Sequence, residues 1–263
     1  MPGPSSADDA VEKPAVEVVN ETGRSPFVLL CEHASAYIPP RYAKLGLSDA
    51  DLERHIAWDI GAADVTRLVA NAIDATAFLG THSRLLIDLN RPPDALTNTA
   101  GVPGSIPTVS EETVIPGNIG ISEGEIAWRK RWLFDPFHAR VADHLDARAR
   151  MSNKTMIATI HSFTPVYAGK ARPWHCGVLY DRSEATALAL IRLLRRESDL
   201  IVDANVPYEI TADADYAIPV HGQARGHEAV LIEIRQDLLE RSAGIRLWAE
   251  RFVSALRALQ TTM

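Results

Sequence analysis

Residues 27–33, FVLLCEH, place five consecutive apolar residues directly before a glutamate and a histidine. A short apolar run of this kind predicts a buried β-strand. Two further apolar runs also end in polar residues: Leu85–Leu89 before Asn90 and Arg91, and Met156–Ile160 before His161. In open α/β sheets, ligands bind beyond the carboxyl ends of the strands. The three runs therefore predict a functional site at one edge of a sheet.

The rest of the chain alternates short apolar runs with segments of helical periodicity. Three more strands are predicted, at Ala77–Leu79, Gly177–Tyr180 and Val230–Ile234. The spacing of apolar residues predicts helices at Val65–Ile73, Ala185–Arg196 and Ile245–Leu259. Strands that alternate with helices favour a mainly parallel or mixed sheet flanked by helices. The sequence thus predicts a single α/β domain over residues 26–263.

Four segments depart from this alternation. Residues 1–25 are rich in proline, serine and acidic residues, which predicts a mobile N-terminal tail. Residues 92–122 are rich in proline and glycine and predict a long loop, of a length that is often functional. Ser48 and Asp51 form a capping-box pattern that predicts a helix at Leu52–Ala57. Pro136 should kink or split the helical pattern of residues 123–150.

The composition excludes several classes of protein. The 263 residues are 46% hydrophobic, which excludes a fully disordered chain, and no apolar run reaches the ~18 residues of a membrane span. The net charge of −7 argues against a nucleic-acid partner. Cys31 and Cys176 lie far apart without CxxC spacing, so a disulfide scaffold is not expected. Residues 1–13 lack the apolar core of a secretory signal, so we expect a cytoplasmic protein.

Two histidines in the predicted site indicate zinc binding. A catalytic zinc takes three protein ligands of the histidine and carboxylate type and keeps one position for water. His33 and His161 are the candidate imidazole ligands. Asp59, just before the helix around Val65, is the better candidate for the carboxylate ligand, and its alternative role is to cap that helix. Glu32 is the rival, but adjacent strand residues point to opposite faces, which disfavours a metal shared with His33.

Glu233 adds a carboxylate inside the predicted strand Val230–Ile234. Such a group is a candidate general base for the water that attacks an amide. Its alternative role is that of a buried ion-pair partner of Arg235 or Arg84, because buried charges are normally paired. The sequence holds no GxSxG, phosphate-loop or GxGxxG motif, so serine hydrolase, P-loop and dinucleotide-binding functions lack support.

Six sequence blocks together resemble the N-formylglutamate amidohydrolase family. They are CEHAS (31–35), HIAWDIGA (55–62), SRLLIDLNRP (83–92), HSFTP (161–165), RPW (172–174) and IEIRQD (232–237). The family is related to zinc carboxypeptidases and aspartoacylases, which implies a zinc-carboxypeptidase-like α/β fold and a zinc-activated water. Those relatives use a His-x-x-Glu motif, whereas here the third residue after His33 is Ala36. The carboxylate ligand is then expected from a following helix, which favours Asp59.

The resemblance also implies how a substrate is held. Asn90 and Arg91 match a pair that grips a substrate carboxylate, and Arg84 occupies the position of a residue that stabilises the oxyanion. Candidates for holding a second, side-chain carboxylate are Arg172, His221 and Arg225.

Together, these residues predict zinc-dependent hydrolysis of an N-acyl amino acid, foremost N-formyl-L-glutamate, with another divalent metal as an alternative to zinc. The same mechanism on another N-acyl amino acid or a cell-wall peptide is one alternative function. A non-catalytic protein that binds a dicarboxylate is the other.

Overall fold

The strands and helices of the computed structural model lie within residues 13–94, 104–196 and 199–261, the parts of the chain that the structure describes. The strands are β1 (Val16–Val19), β2 (Phe27–Cys31), β3 (Thr76–Gly80), β4 (Val109–Ser110), β5 (Thr113–Val114), β6 (Met156–Phe163), β7 (Val166–Tyr167), β8 (Lys170–Ala171), β9 (Cys176–Leu179), β10 (Val202–Ala204) and β11 (Glu228–Arg235). The helices are α1 (Asp49–Leu52), α2 (Ala62–Ile73), α3 (Glu123–Arg129), α4 (Asp135–Arg150), α5 (Glu184–Leu194) and α6 (Ser242–Gln260). Two π-helical turns occur, at Lys130–Phe134 and Ile218–Gly222.

Seven strands form one mixed sheet in the order β1-β3-β2-β6-β11-β9-β10. The four strands β3, β2, β6 and β11 run parallel to one another, whereas β1 pairs antiparallel with β3 and β9 antiparallel with β11. Short hairpins β4–β5 and β7–β8 stand apart from this sheet. The predicted single α/β domain with a mixed, mainly parallel sheet is confirmed.

Helices and loops cover the two faces of the sheet with separate apolar cores. Alternate residues of β2, β6 and β11 pack against α2, α5 and α6 on the first face, where the buried Trp248 and Phe252 contribute most of the bulk of α6. The second face packs against α4 and residues 85–89. His161 and Glu233 have the strand parity of Ile157 and Leu231, which places both side chains on the second face.

The N-terminal part of the chain differs from its prediction. Residues 1–12 lie outside the described part, but Val16–Val19 form β1 and close the edge of the sheet at β3. Val16 and Val18 pack against the second core, which stabilises this edge strand. The predicted mobile tail over residues 1–25 is therefore wrong for its last ten residues or so, where paired backbone and buried apolar area outweigh the polar composition.

Leu85–Leu89 is buried but is not a strand, which corrects the prediction. Side chains, not a neighbouring strand, satisfy its carbonyls: Asn118 Nδ2 donates to Leu85 O at 2.8 Å, and Arg129 Nη1 donates to Leu86 O at 3.1 Å. His138 Nε2 donates to Leu89 O at 2.8 Å. Apolar periodicity reports burial, and a buried irregular segment gives the same pattern as a buried strand.

The remaining segments follow their predictions in part. The Ser48–Asp51 capping box is present, but the helix that it starts ends at Leu52, so the predicted Leu52–Ala57 helix is wrong. Pro136 stands in the first turn of α4, where the π-helical turn separates it from α3. The predicted loop of residues 92–122 contains the β4–β5 hairpin, and residues 95–103 lie outside the described part.

Two further findings concern membrane-spanning helices and the cysteines. Within those residues, no helix combines the length and apolar character needed to cross a membrane. Cys31 and Cys176 are both free thiols buried in the first core, as their separation in the sequence predicts.

Candidate metal centre and active site

His33, Asp59 and His161 meet at the carboxyl end of β2 and β6. One ligand atom from each residue lies within 4.8 Å of the others, and all three side chains are buried. Asp59 Oδ2 is 2.8 Å from His161 Nδ1 and 3.5 Å from His33 Nδ1. The loop that carries Asp59 is tied to the end of β2, because its amide donates to His33 O at 2.9 Å. The predicted choice of Asp59 over Glu32 as third member of the cluster agrees with this geometry.

A carboxylate on the outer side orients each imidazole of this cluster. His33 Nε2 contacts Asp88 Oδ1 at 2.6 Å, and His161 Nε2 contacts Glu32 Oε2 at 3.0 Å. Each contact fixes its own imidazole ring and leaves the Nδ1 of that ring facing Asp59. Glu32 is thus the partner of a candidate ligand, since it contacts the Nε2 of His161 and not the Nδ1 that faces Asp59. Sequence reasoning missed the role of Asp88, although a lone aspartate inside the apolar run 85–89 was a usable signal.

The donor set fits a divalent metal such as zinc. Two imidazole nitrogens and one carboxylate oxygen converge, and His33 Nδ1 is buried with no hydrogen-bond partner among the described residues. Burial opposes the ionisation of Asp59, but the two histidines outweigh it and lower the pKa of this carboxyl. Burial likewise opposes the charge on His161, yet Asp59 and Glu32 raise the pKa of its imidazole well above the usual value. The cluster therefore concentrates negative charge that a cation would neutralise.

Glu233 lies beside this cluster on the neighbouring strand. In the parallel β6–β11 pair, Glu233 is directly opposite His161, and Gly177 of β9 is on its other side. The side chain is buried, and Oε2 has no hydrogen-bond partner in the described part. Burial raises the pKa of Glu233 to about 8, against the lowering effect of the neighbouring His161. A carboxyl with its pKa near neutrality, next to a metal-type cluster, suits proton transfer.

The alternative ion-pair partners of Glu233 are engaged elsewhere. Arg235 donates from Nε to Asp237 at 2.8 Å. Arg84 forms a forked pair with Asp88 Oδ2, from Nε at 3.0 Å and Nη2 at 2.6 Å. Burial opposes the charge on Arg84, but Asp88 and Asp59 outweigh it and raise the pKa of the guanidinium. With 22% of its side chain exposed, Arg84 is a fixed cation at the open side of the cluster.

Asn90 and Arg91 contact a chain segment that lies across the site. Asn90 Oδ1 accepts from the amides of Tyr216 and Ala217, and its Nδ2 donates to Asp215 Oδ1 at 3.3 Å. Arg91 Nη1 donates to the carbonyl of Ala214. Arg91 Nε is buried without a hydrogen-bond partner among the described residues and lies 3.9 Å from Asp88. The side chain of Asn90 is thus used in positioning residues 215–217, and the free donor of the pair is on Arg91.

Of the three candidates for a second carboxylate, the structure brings Arg172 to the site. Its charge lowers the pKa of Glu233, and its Nη1 donates to Tyr208 Oη at 3.0 Å. Sequence reasoning missed Tyr208, which has no motif around it. Arg225 instead pairs with Asp146 of α4 and precedes β11, at the end of that strand remote from Glu233.

His221 is buried and bonds to His138, with 2.9 Å between Nε2 and Nδ1. Burial lowers the pKa of His221 to about 4, so the ring is neutral near pH 7. The His138 Nε2 donates to Leu89 O, which makes its Nδ1 an acceptor and the His221 Nε2 a donor. His221 then presents a bare Nδ1 lone pair, which suits a hydrogen-bond donor and not the anionic carboxylate predicted for it.

The chain is similar to known proteins over most of its length. The family model described as N-formylglutamate amidohydrolase matches residues 25–240. The crystal structure of gene product Atu2144 from Agrobacterium tumefaciens is 35% identical, with a TM-score of 0.88 over 95% of this chain and 96% of that chain. The N-formylglutamate amidohydrolase from Ralstonia eutropha JMP134 is 17% identical, with a TM-score of 0.62 over 95% and 98% of the two chains, which shows the fold alone. No curated protein sequence matches the chain. The chain belongs to the N-formylglutamate amidohydrolase family.

Proposed function

We propose that this protein is a metal-dependent amidohydrolase that converts N-formyl-L-glutamate and water into formate and L-glutamate. The observation that carries the proposal is the buried cluster of His33, Asp59 and His161 with Glu233 on the adjacent strand. Membership of the amidohydrolase family supports the substrate, and the donor set supports the metal. Small-molecule hydrolysis also fits an acidic protein that places arginines, here Arg84 and Arg172, beside its site.

Three residues of the cluster would hold the metal: His33 and His161 through Nδ1, and Asp59 through Oδ2. A divalent cation in such a site supplies a Lewis acid that polarises the scissile carbonyl and makes water more acidic. Asp88 and Glu32 keep the two imidazoles in the orientation and tautomer that ligation needs. Zinc is the proposed ion, because two imidazoles and one carboxylate are a common zinc set.

Glu233 is the proposed general base. Its Oε2, which has no hydrogen bond within the described residues, takes a proton from the attacking water and later delivers it to the leaving amine. Burial disfavours the ionised form of Glu233 and raises its pKa. The positive charges of Arg84 and Arg172 act in the opposite direction and favour ionisation. The apolar surroundings that raise the pKa also make the carboxylate a stronger base once it is ionised.

Arg84 and Arg91 are the proposed anion-binding groups. Arg84 stands at the open side of the cluster, where a fixed cation stabilises the negative charge that develops on the carbonyl oxygen. Arg91 retains an unpartnered Nε among the described residues for the α-carboxylate of the substrate. Asn90 acts in this proposal by positioning residues 215–217 next to Arg91.

A cytoplasmic location of the enzyme stays a prediction.

Metal analysis combined with formate release from N-formyl-L-glutamate tests this function. We expect close to one zinc per chain, turnover that a chelator abolishes, and recovery when zinc is restored. The His33→Ala variant should lose the metal, whereas His175→Ala, a histidine outside the cluster, should retain it. Metal without formate release would favour another N-acyl amino acid as substrate. Absence of both metal binding and turnover would contradict the proposal and favour a non-catalytic binding protein.

A further inference from the structure

Tyr208 is a polar aromatic residue at the rim of the site with an unusual hydrogen bond. The residue is 43% exposed, and its hydroxyl oxygen accepts from Arg172 Nη1 at 3.0 Å. Since arginine has donors and no acceptor, the phenolic oxygen must be the acceptor in this contact. The hydroxyl proton of Tyr208 therefore remains available as a donor to a further group.

Arg172 is held in place by aromatic rings instead of by an acidic partner. Its guanidinium carbon lies 4.7 Å from the ring centre of Tyr167, 4.8 Å from that of Tyr208 and 5.8 Å from that of Phe163. Stacking of this kind fixes a guanidinium while leaving its edge free for an anion. Within the described residues, no carboxylate oxygen lies within 4.0 Å of its nitrogens, in contrast to Arg84 and Arg225. Arg172 is a positioned cation that lacks an anion.

The rings of Phe163, Tyr167 and Tyr208 form an aromatic cage around Arg172, and Phe163 relates the position of this cage to the candidate metal ligands. Phe163 follows His161 by two residues on β6, so both side chains project from the same face, about 7 Å apart along the strand. The charges of Glu233, Arg172 and Arg84 act on the Tyr208 hydroxyl. Burial and then Glu233 raise the pKa of Tyr208, and Arg172 and Arg84 act in the opposite direction. Tyr208 and Arg172 thus lie near Glu233.

We propose that Tyr208 and Arg172 form the specificity site for the side-chain carboxylate of the substrate, and so select N-acyl derivatives of dicarboxylic amino acids. The Tyr208 hydroxyl donates to one carboxylate oxygen and the free edge of the Arg172 guanidinium to the other. Phe163, which lies against Arg172, is about 7 Å from His161 along β6, a separation comparable with the length of one short side chain between a scissile amide and a second carboxylate. This inference rests on the proposed amidohydrolase function and adds the residues that set its selectivity.

The Tyr208→Phe variant removes the donor and keeps the ring. We compare it with the wild type on N-formyl-L-glutamate and on N-formyl-L-glutamine, which has nearly the same shape and no side-chain charge. Loss of one hydrogen bond to a charged group corresponds to about a tenfold or larger rise in KM for N-formyl-L-glutamate. We expect kcat to stay within about twofold, and the KM for N-formyl-L-glutamine to stay unchanged.

Tyr180→Phe is the matched control. Tyr180 follows β9 at the end remote from Glu233, and its hydroxyl contacts Glu184. This variant should leave both substrates unaffected. An equal fall in kcat for both substrates in Tyr208→Phe would overturn the proposal, because it would place the hydroxyl at the reacting carbonyl. Unchanged selectivity would overturn it as well.

Binding measurements separate this inference from the proposed function. If the wild type hydrolyses neither compound, calorimetry with N-formyl-L-glutamate and N-formyl-L-glutamine still reports which one is preferred. Preference for the dicarboxylate that is lost in Tyr208→Phe supports the specificity site even though the proposed activity fails. Equal binding of both compounds by the wild type contradicts the specificity site, whatever the activity.

Discussion

The two flanks of the candidate active site are built in different ways. On one flank, the paired strands β6 and β11 carry His161 and Glu233 at opposite positions of a regular ladder. On the other flank, residues 83–91 carry Arg84 and Asp88 on buried backbone without a strand partner. The first flank gains its geometry from a regular ladder of backbone hydrogen bonds. The second combines isolated backbone hydrogen bonds with side-chain donors from Asn118, Arg129 and His138.

This difference has a consequence for how the two flanks tolerate change. A strand ladder spreads the support of each residue over many equivalent hydrogen bonds, so a side-chain substitution leaves the backbone in place. An irregular buried segment depends on a few side-chain donors, and the loss of one leaves a carbonyl unpaired at a cost of about 1–3 kcal/mol. The strand flank should therefore show losses of chemistry without losses of structure. The irregular flank should show both together.

Glu233→Gln on the strand flank should produce the largest effect. The amide keeps the size of the side chain but cannot accept and return a proton, and general acid–base catalysis contributes about 10²–10⁴-fold to rate. We expect kcat to fall by that factor while the metal content and the urea-unfolding midpoint in the presence of zinc stay close to those of the wild type. Retained turnover would remove Glu233 from the role of base.

Arg129→Met should produce the next largest effect, now on the irregular flank. The buried guanidinium donates to Leu86 O, to Asn118 Oδ1 at 2.7 Å and to Glu125 Oε1 at 2.7 Å. Leaving these acceptors unpaired should lower the free energy of unfolding by about 2–3 kcal/mol. Urea unfolding measures this loss, and amide hydrogen exchange should show faster opening of residues 83–91.

The control for Arg129→Met is Arg131→Met, an exposed arginine two residues further along. It should change the free energy of unfolding by less than about 0.5 kcal/mol. If both variants behave alike, the side-chain support assigned to the irregular flank is wrong.

A pair of matched substitutions compares the two flanks directly through the metal. Asp88→Asn changes the carboxylate that orients His33, and Glu32→Gln changes the one that orients His161. Loss of such an outer carboxylate lowers metal affinity by about 10–100-fold. We expect Asp88→Asn to be the more damaging, because Asp88 also holds Arg84 and accepts from the amide of Asn90. Competition with a chelating dye measures both affinities, and an equal loss would argue against the difference between the flanks.

The same division explains what could be predicted from the sequence. The apolar runs of β2, β6 and β11 predict strands, and the polar residues after β2 and β6 meet as expected of a sheet edge. Asp59 joins His33 and His161 in the cluster, as the sequence favoured, although β2 ends at Cys31 and both Glu32 and His33 lie next to His161. Leu85–Leu89 has the same apolar character as these strands, but the side chains that donate to its carbonyls come from residues 33 to 49 positions away. A local pattern holds no information about such partners.

The role proposed for Tyr208 could not be predicted from local sequence patterns, for a related reason. Tyr208 belongs to no periodic pattern or motif, and the role proposed for it rests on its contact with Arg172, 36 residues earlier in the chain. The prediction of a mobile tail was wrong for β1 because this strand is short and its neighbouring sequence is polar, although Val16 and Val18 are partly buried against the second core. In both cases a tertiary contact outweighs the composition of the segment.

The smallest expected effect is a pH dependence of opposite sign on the two flanks of the metal-free protein. Glu233 has a pKa of about 8 when folded and about 4.5 when unfolded, so the folded state binds the extra proton between these values. Its contribution to the free energy of unfolding then falls as pH rises through that range. His221, which bonds to the His138 that supports Leu89, has a folded pKa of about 4 against 6.5. Here the unfolded state binds the extra proton, and the contribution falls as pH drops below about 6.5.

Each slope is at most about 1.4 kcal/mol per pH unit, and in practice smaller because other groups titrate in the same range. Urea unfolding of the metal-free wild type, Glu233→Gln and His221→Gln between about pH 5 and pH 8 separates the two contributions. Glu233→Gln should remove a loss of stability with rising pH that extends over this whole range, whereas His221→Gln should remove only the loss of stability below about pH 6.5. If His221→Gln also changed the slope above about pH 6.5, the two flanks would titrate as one network, and the separation between them would then be structural only.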